Sequence, residues 1–290
     1  MTGSQRVRLV LGPHDDGVGY QVADPLSAAG EVDGGDSDEI EKRKGVDEPE
    51  SLPACMCGRY SLFADPEVLE TRFDAEFDFE FRPRYNAAPG QELPVVTDAE
   101  PNVVQRLEWG LVPRWADDGA DGHINARAET VDEKPAFRRA YAGDGDPTAC
   151  GRCLVLADGF YEWTETADGK RPYRVALKDD RPFAMAGLWE RWTPDTVQAG
   201  LGAFGDGDDA GDPDPVDTFA ILTTEPNEVV EPLHHRMAVV LEPGEEDAWL
   251  DGGSVPPEPA PAEEFRAYPV STAVNDPAND RPELVREIEA

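Results

Sequence analysis

From residue 56 to the end of the chain, apolar residues come in short runs set apart by turn-forming residues, and this spacing limits the fold more than any other feature. Residues 94–97, 103–109, 153–163, 173–177, 183–192, 219–224 and 237–241 each have the length and the β-branched or aromatic content of a strand. Three segments read as short helices. Residues 68–73 have Asp65 as N-cap and Pro66 in the first turn, where a missing N–H costs nothing. Residues 225–231 and 245–250 are the other two. Many strands and few helices predict an α+β fold, a single domain on a curved, largely antiparallel sheet with short flanking helices. Residues 1–55 differ: they hold Gly, Asp and Glu clusters and little apolar periodicity, as in a disordered or non-native extension. The domain is therefore expected over 56–290, with a mobile Gly/Asp/Pro-rich surface loop at about 199–217.

Composition narrows the setting. Acidic residues outnumber basic ones 61 to 26, for a net charge of −35, and only five of the basic residues are Lys. Disorder is one reading of such acidity, but 39% apolar residues and six Trp are enough to build a core. The pattern fits a salt-adapted, cytoplasmic protein. No apolar run reaches the roughly 18 residues of a membrane span, and residues 1–30 lack an apolar signal core. No membrane partner is expected.

The four cysteines stand as Cys55-x-Cys57 and Cys150-x-x-Cys153. Two such pairs can read as a zinc-binding interaction module, but Cys-x-Cys is tight for zinc and Cys153 opens an apolar run typical of a buried strand. No βαβ pattern surrounds CGRC to support a thioredoxin-like role. Neither a metal nor a cofactor is expected, and a reducing compartment is the simplest one.

Met56-Cys57-Gly58-Arg59-Tyr60 offers sharper chemistry. A chain starting at Met56, with that Met trimmed, would present Cys57 as its N-terminus. An N-terminal Cys is a 1,2-aminothiol: the amine forms an imine with an aldehyde, and the thiol closes onto it to give a five-membered thiazolidine. The α-amine has a pKa of about 7.7–8.0 against about 10.4 for Lys, so much more of it is unprotonated near neutrality. Ring closure is intramolecular and gains from effective molarity.

Behind MCGRY follow, in order, RYNAAPGQ (84–91), WGLVPRW (109–115), INARAET (124–130), RCLVLADGFYEW (152–163), AGLWE (186–190) and LHHRMAVVL (233–241). Together they closely resemble the SRAP family, named for SOS response-associated peptidase and also called abasic-site processing proteins, from Met56 to about Val285. The resemblance implies binding of single-stranded DNA and covalent attachment of the N-terminal Cys57 to the aldehyde of an abasic site. It also implies possible lyase activity and self-processing that exposes the Cys. A net acidic chain argues against nucleic acid by default. In molar salt, however, the Debye length shrinks to about 3 Å, and a local Arg-lined groove can still meet phosphates.

Within the motifs, several residues could carry the chemistry. Glu162, between aromatics that could desolvate it, can move the protons that ring opening and imine formation need; the resemblance places the family's catalytic Glu there. His is a proton carrier near neutrality, and chemistry alone does not choose between His234 and His235. The resemblance selects His234, while placing His235 where the family has Asp and Ala238 where it has Pro. Asn125 can hold the amine or the aldehyde through its amide, or it can close a turn after Gly122. Arg127 is the expected phosphate contact, with a structural pair to Glu129 as its alternative. For DNA contact the resemblance adds Asn86 and Pro89 in a strand-binding loop, Arg59 beside a flanking phosphate, and Thr223. Trp115 could stack on a base beside the lesion or pack in the core, and for Trp109 the core is favoured. A different reading is a Cys peptidase built on Cys57, His234 and Glu162 or Asn125, which an intact internal Cys57 would favour. A monomer is expected, with single-stranded DNA as the partner. Cys57 is expected to become N-terminal by translation from Met56 rather than by cleavage of a leader.

Overall fold

The computed structural model describes residues 58–143, 146–167, 169–194, 213–254 and 258–289. Residues 1–55, Met56, Cys57 and the 199–212 part of the acidic loop lie outside the described residues.

In chain order the elements are β1 (Tyr60–Leu62), α1 (Pro66–Phe73), β2 (Glu76–Phe77), β3 (Arg84–Ala87), β4 (Glu92–Thr97), β5 (Val103–Trp109) and β6 (Asn125–Arg127). Then come α2 (Arg138–Ala142), β7 (Cys150–Ala157), β8 (Gly159–Thr166), β9 (Gly169–Leu177), β10 (Phe183–Trp192) and β11 (Val216–Thr224). The chain ends with β12 (Met237–Ala238), β13 (Val240–Leu241), α3 (Glu246–Leu250) and β14 (Phe265–Pro269). α1 starts as its sequence implies: the Asp65 side chain accepts from the Glu67 N–H, with Pro66 behind it.

The strands pair mostly antiparallel, as expected, but in two sheets rather than one. The first runs β14-β9-β8-β1-β3; the second is a nine-stranded assembly along β12-β11-β10-β7-β4-β5-β2. Parallel pairing joins β11 to β5 and β6, and β2 to β5. Tyr60, Phe160, Val175 and Phe265 of the first sheet share one core with Val95, Val155, Phe183, Phe219 and Ile221 of the second. The other face of the second sheet buries Val96, Leu154, Leu156 and Leu222 with Leu69 and Phe73 of α1, Ala140 of α2 and Trp249 of α3. Each large apolar side chain so buried stabilises the fold by about 1.5–3 kcal/mol.

The apolar run 153–163 is not one strand. It breaks at Asp158, where the chain leaves the second sheet and enters the first. The buried Asp158 carboxylate accepts from the Ser61 hydroxyl at 2.7 Å, from the N–H groups of Phe63 and Ala64, and from Arg174 Nη2 at 2.9 Å. That polar knot fastens the crossing to β1. Residues 225–231 form turns around Asn227 rather than a helix; Asn227 Oδ1 accepts from the N–H groups of Val229 and Val230, and Pro226 supplies no donor. Val216 and Asp217 belong to β11 rather than to the loop, and the Arg191 guanidinium grips Asp217 with two bonds.

Candidate functional site

Glu162 reaches the space between the sheets by strand alternation. On β8, Phe160 points into the shared core, Tyr161 points to the opposite face, and Glu162 points inward again. It is 2% exposed, and its Oε2 lies 4.0 Å from His234 Nδ1. That separation sets the two groups side by side, beyond direct hydrogen-bonding distance. The turns around Asn227 deliver the histidine: its N–H donates to Val230 O at 2.9 Å, and its Nδ1 lies 3.2 Å from the Arg236 N–H and 3.1 Å from the Arg236 carbonyl. His234 Nε2 is buried and meets no hydrogen-bond partner among the described residues. Burial holds the His234 pKa below the ordinary histidine value, so the ring is a neutral proton acceptor near pH 7. His235 lies beside it, its ring tilted by 41° at 4.3 Å between centroids, but is exposed. The geometry thus separates two histidines that chemistry alone could not.

Asn125 lies in strand β6, not in a turn, and pairs with Ile221 of the inter-sheet core. Its amide therefore faces the same space as Glu162, with Oδ1 buried. Two residues on, Arg127 is exposed. The alternative role for Arg127, a pair with Glu129, is not taken up. Glu129 instead takes both guanidinium nitrogens of Arg236, at 2.6 and 2.7 Å, and Arg236 also donates to Thr223 O at 2.6 Å. Those bonds hold the Glu129 carboxyl below its ordinary pKa. They lock the segment after Asn125 to the segment carrying His234.

β1 completes the cluster. Tyr60 pairs with Phe160 and Ser61 with Gly159, and Arg59 O accepts from the Tyr161 N–H at 3.0 Å. Extended two residues past the start of β1, that register brings Gly58, the residue bonded to Cys57, level with Glu162.

Several expected DNA contacts have other work in this structure. The Arg59 guanidinium donates to Asn86 Oδ1 at 2.9 Å and to the carbonyls of Val274 and Asn275. Asn86 is 1% exposed, and its amide donates to the carbonyls of Val274, Asp276 and Asn279. It organises the protein and has no donor left for a strand. Thr223 is wholly buried, with its hydroxyl on Ala126 O, so its side chain does not reach the surface. Pro89 is exposed on the turn between β3 and β4. Trp115 is 65% exposed, against a core role. Its neighbours are anchored at the other end of β11: Arg114 N–H on Glu190 Oε1 and Ala116 O on Trp192 Nε1. Thr218 of that end and Thr223 beside Arg236 are roughly 17 Å apart along the strand, so Trp115 is not drawn into the cluster. Trp109 is buried, and its indole N–H donates to Ile124 O.

The zinc reading fails on strand geometry. Cys150 and Cys153 are three residues apart on β7 and therefore face opposite sides: Cys150 joins the helix-side core and Cys153 the inter-sheet core. Both are free and buried, and burial raises both thiol pKa values. Sequence reasoning missed the Glu129–Arg236 clamp, though both residues stood in quoted motifs. It also missed the polar segment 274–280 that surrounds Arg59 and Asn86, which carries no apolar period to mark it.

A family sequence model described as "SOS response associated peptidase (SRAP)" matches residues 56–277. The chain belongs to the SRAP family. Among SRAP relatives, "Abasic site processing protein YoqW" of Bacillus subtilis (strain 168) is 38% identical over 245 residues, covering 79% of this chain and 99% of that protein. "Abasic site processing protein HMCES" of Gallus gallus is 32% identical over 277 residues, covering 82% of this chain and 76% of that protein. An X-ray structure of a Bacteroides thetaiotaomicron protein superposes with a TM-score of 0.64 at 26% identity, covering 80% of this chain and all of the other. The SRAP match accounts for the motif order and for the α+β sheet architecture. Among the described residues, no helix is long and apolar enough to cross a membrane.

Proposed function

We propose that this SRAP protein processes abasic sites in single-stranded DNA by forming a covalent thiazolidine cross-link through Cys57 as its N-terminal residue. The supporting observation is the Glu162–His234 approach at 4.0 Å, on the strand β8 that pairs with β1, which begins three residues after Cys57. The names of the relatives point the same way.

In this mechanism the open-chain aldehyde carbon accepts the Cys57 amine. His234, held neutral by burial, takes the proton that the amine sheds. His234 returns that proton to the aldehyde oxygen, giving the neutral carbinolamine. Glu162 in its acid form protonates the hydroxyl, which leaves as water, and the Glu162 carboxylate takes back the remaining N–H proton to leave the neutral imine. The thiolate then adds to the imine carbon, and its proton ends on the ring nitrogen. Overall, one C–N and one C–S bond form and one water is released. Asn125 orients the aldehyde oxygen, and Arg127 meets a flanking phosphate. The imine stage also permits strand cleavage, so lyase activity is secondary. Because an amide nitrogen cannot form the imine, Cys57 must first be freed, by initiation at Met56 or by cutting of the Met56–Cys57 bond. The protein acts as a monomer in a salt-rich cytoplasm, where a covalent bond is indifferent to counterion release.

The test is adduct formation. A chain beginning at Met56, with that Met removed, should give an SDS- and heat-stable adduct with an abasic-site oligonucleotide. Cys57→Ala should abolish it, while Cys150→Ala and Cys153→Ala retain it. An unchanged adduct in Cys57→Ala sinks the proposal, and stable adducts from protein that retains residues 1–55 sink the aminothiol step.

A further inference from the structure

The segment 274–280 sits against both strands that the proposed chemistry uses. On the β1 side, Val274 O and Asn275 O accept from the Arg59 guanidinium at 2.7 and 3.2 Å. On the β8 side, Asn275 Oδ1 accepts from the indole N–H of Trp163, the neighbour of Glu162, at 2.8 Å. The segment is fixed to β3 in turn. Asp280 Oδ1 accepts from the N–H groups of Tyr85 and Asn86 at 2.6 and 3.1 Å, and its Oδ2 lies 3.3 Å from Arg84 Nη1. Asn86 closes the loop by donating to three carbonyls of the segment while accepting from Arg59.

β1 has only three residues, and β3 beside it is the edge of the sheet. Backbone pairing of that length holds a strand end weakly. The Asp158 knot grips β1 at its Ser61 end, and these side-chain bonds add grip at its Arg59 end; Asp280 lies beyond the 56–277 family match.

We propose that residues 274–280 form a positioning strap, in which Asp280 and Asn275 set the end of β1 against Glu162. The inference rests on the reading of Cys57 and Glu162 given above. The strap touches neither DNA nor reacting atoms. It acts through Arg59 and Trp163, so it governs how often the nucleophile and the acid meet in reactive geometry, and not how tightly a strand binds. Misplacement by about 1 Å in such a site can cost about a hundredfold in rate.

The experiment compares wild type, Asp280→Ala, Asp280→Asn and Asn275→Ala, each with Cys57 at the N-terminus. Protein in excess reacts with a single-stranded oligonucleotide bearing one abasic site, giving a maximal cross-linking rate and a half-saturating concentration. Amide exchange at Tyr161, whose N–H bonds Arg59 O, is followed in parallel. Asp280→Ala should lower the maximal rate about tenfold or more, leave half-saturation within about twofold, and speed exchange at Tyr161. Asp280→Asn keeps an oxygen for the two backbone N–H groups and should recover most of the rate. Asn275→Ala should fall in the same parameter by less, and it decides the matter if Asp280→Ala does not fold. The strap is refuted by a wild-type maximal rate in Asn275→Ala, by a loss confined to half-saturation, or by an Asp280→Asn as slow as Asp280→Ala. Wild type that forms no adduct overturns the function instead, and unchanged Tyr161 exchange in the variants would then still refute the strap.

Discussion

Gly159→Ala puts the polar knot between the sheets to the test. Gly159 opens β8 opposite Ser61. A Cβ at this position would lie 2.6 Å from Cζ and Nη2 of Arg174, far inside ordinary contact at roughly 3.5 Å. An arginine tip usually moves aside cheaply, but this one is 2% exposed. Its nitrogens donate to Asp158 O, Asp158 Oδ1 and Tyr268 Oη at 2.7, 2.9 and 2.7 Å, and Nε lies 3.3 Å from Ser61 Oγ. Any displacement large enough to admit a methyl group strains or breaks the Asp158 pair. Deleting one partner of a buried ion pair costs about 3–5 kcal/mol. Displacement leaves both charges present and partly paired, so about 2–4 kcal/mol is expected. Urea unfolding should show this as a lower midpoint at unchanged slope. Ser61→Ala, which removes one hydroxyl from the same knot, should cost only about 1 kcal/mol. A Gly159→Ala protein within about 1 kcal/mol of wild type would show that the guanidinium relocates freely and that this pair does not fix the crossing from β7 to β8.

Two further outcomes bear on the chemistry. Glu162→Gln should slow cross-linking about a hundredfold or more, and His234→Ala should slow it while exposed His235→Ala does little; equal, small losses in all three would refute the assignment. His234 also has a stability signature: its folded pKa is depressed, so protons bind the unfolded chain first and stability falls as pH drops through 6.5 toward the folded value. Urea midpoints at about pH 7 and about pH 5.5 should therefore diverge more in wild type than in His234→Ala. Arg127→Ala should weaken binding to undamaged single strands and flatten its salt dependence by roughly 0.7 in logarithmic slope, and Trp115→Ala should weaken it by about 1–3 kcal/mol if a base stacks there; tight duplex binding with no preference for single strands would contradict both.

Much of the fold was legible because burial writes itself into short-range pattern. β5 and β10 have the bounds their apolar runs imply, and the α1 cap is spelled out by Asp65-Pro66. What was not legible depends on partners far away in sequence. β1, β3 and β6 are three or four residues long and carry Ser, Arg or Asn, so they exist as strands only because β8, β1 and β11, respectively, are there to pair with them. The break at Asp158 was hidden because an Asp inside an apolar run shows its purpose only once Ser61 and Arg174 meet it. At the candidate site, Glu162 and Asn125 were singled out through motifs, and the structure turns both toward the inter-sheet space. Asn86 and Thr223 were read as contacts because a motif marks importance without saying whether a side chain faces inward or outward.

The fate of the arginines bears on how an acidic chain could handle DNA. Near the cluster, Arg59 is spent on Asn86 and two carbonyls, Arg84 pairs with Asp280, and Arg236 is clamped by Glu129. These guanidiniums shape the site from within, and Arg127 is left exposed at its edge. On the proposed function, a phosphate contact at Arg127 alone would release few counterions and add little affinity. That is workable. Strand affinity need only bring the aldehyde to the nucleophile, because the covalent bond then supplies the residence time. Selectivity for damaged DNA comes from the reaction itself, since an intact nucleotide offers no aldehyde for the amine to capture. On this reading the precision of the site rests on Glu162 beside His234 and on the contacts that hold β1 against β8, rather than on the breadth of a basic surface.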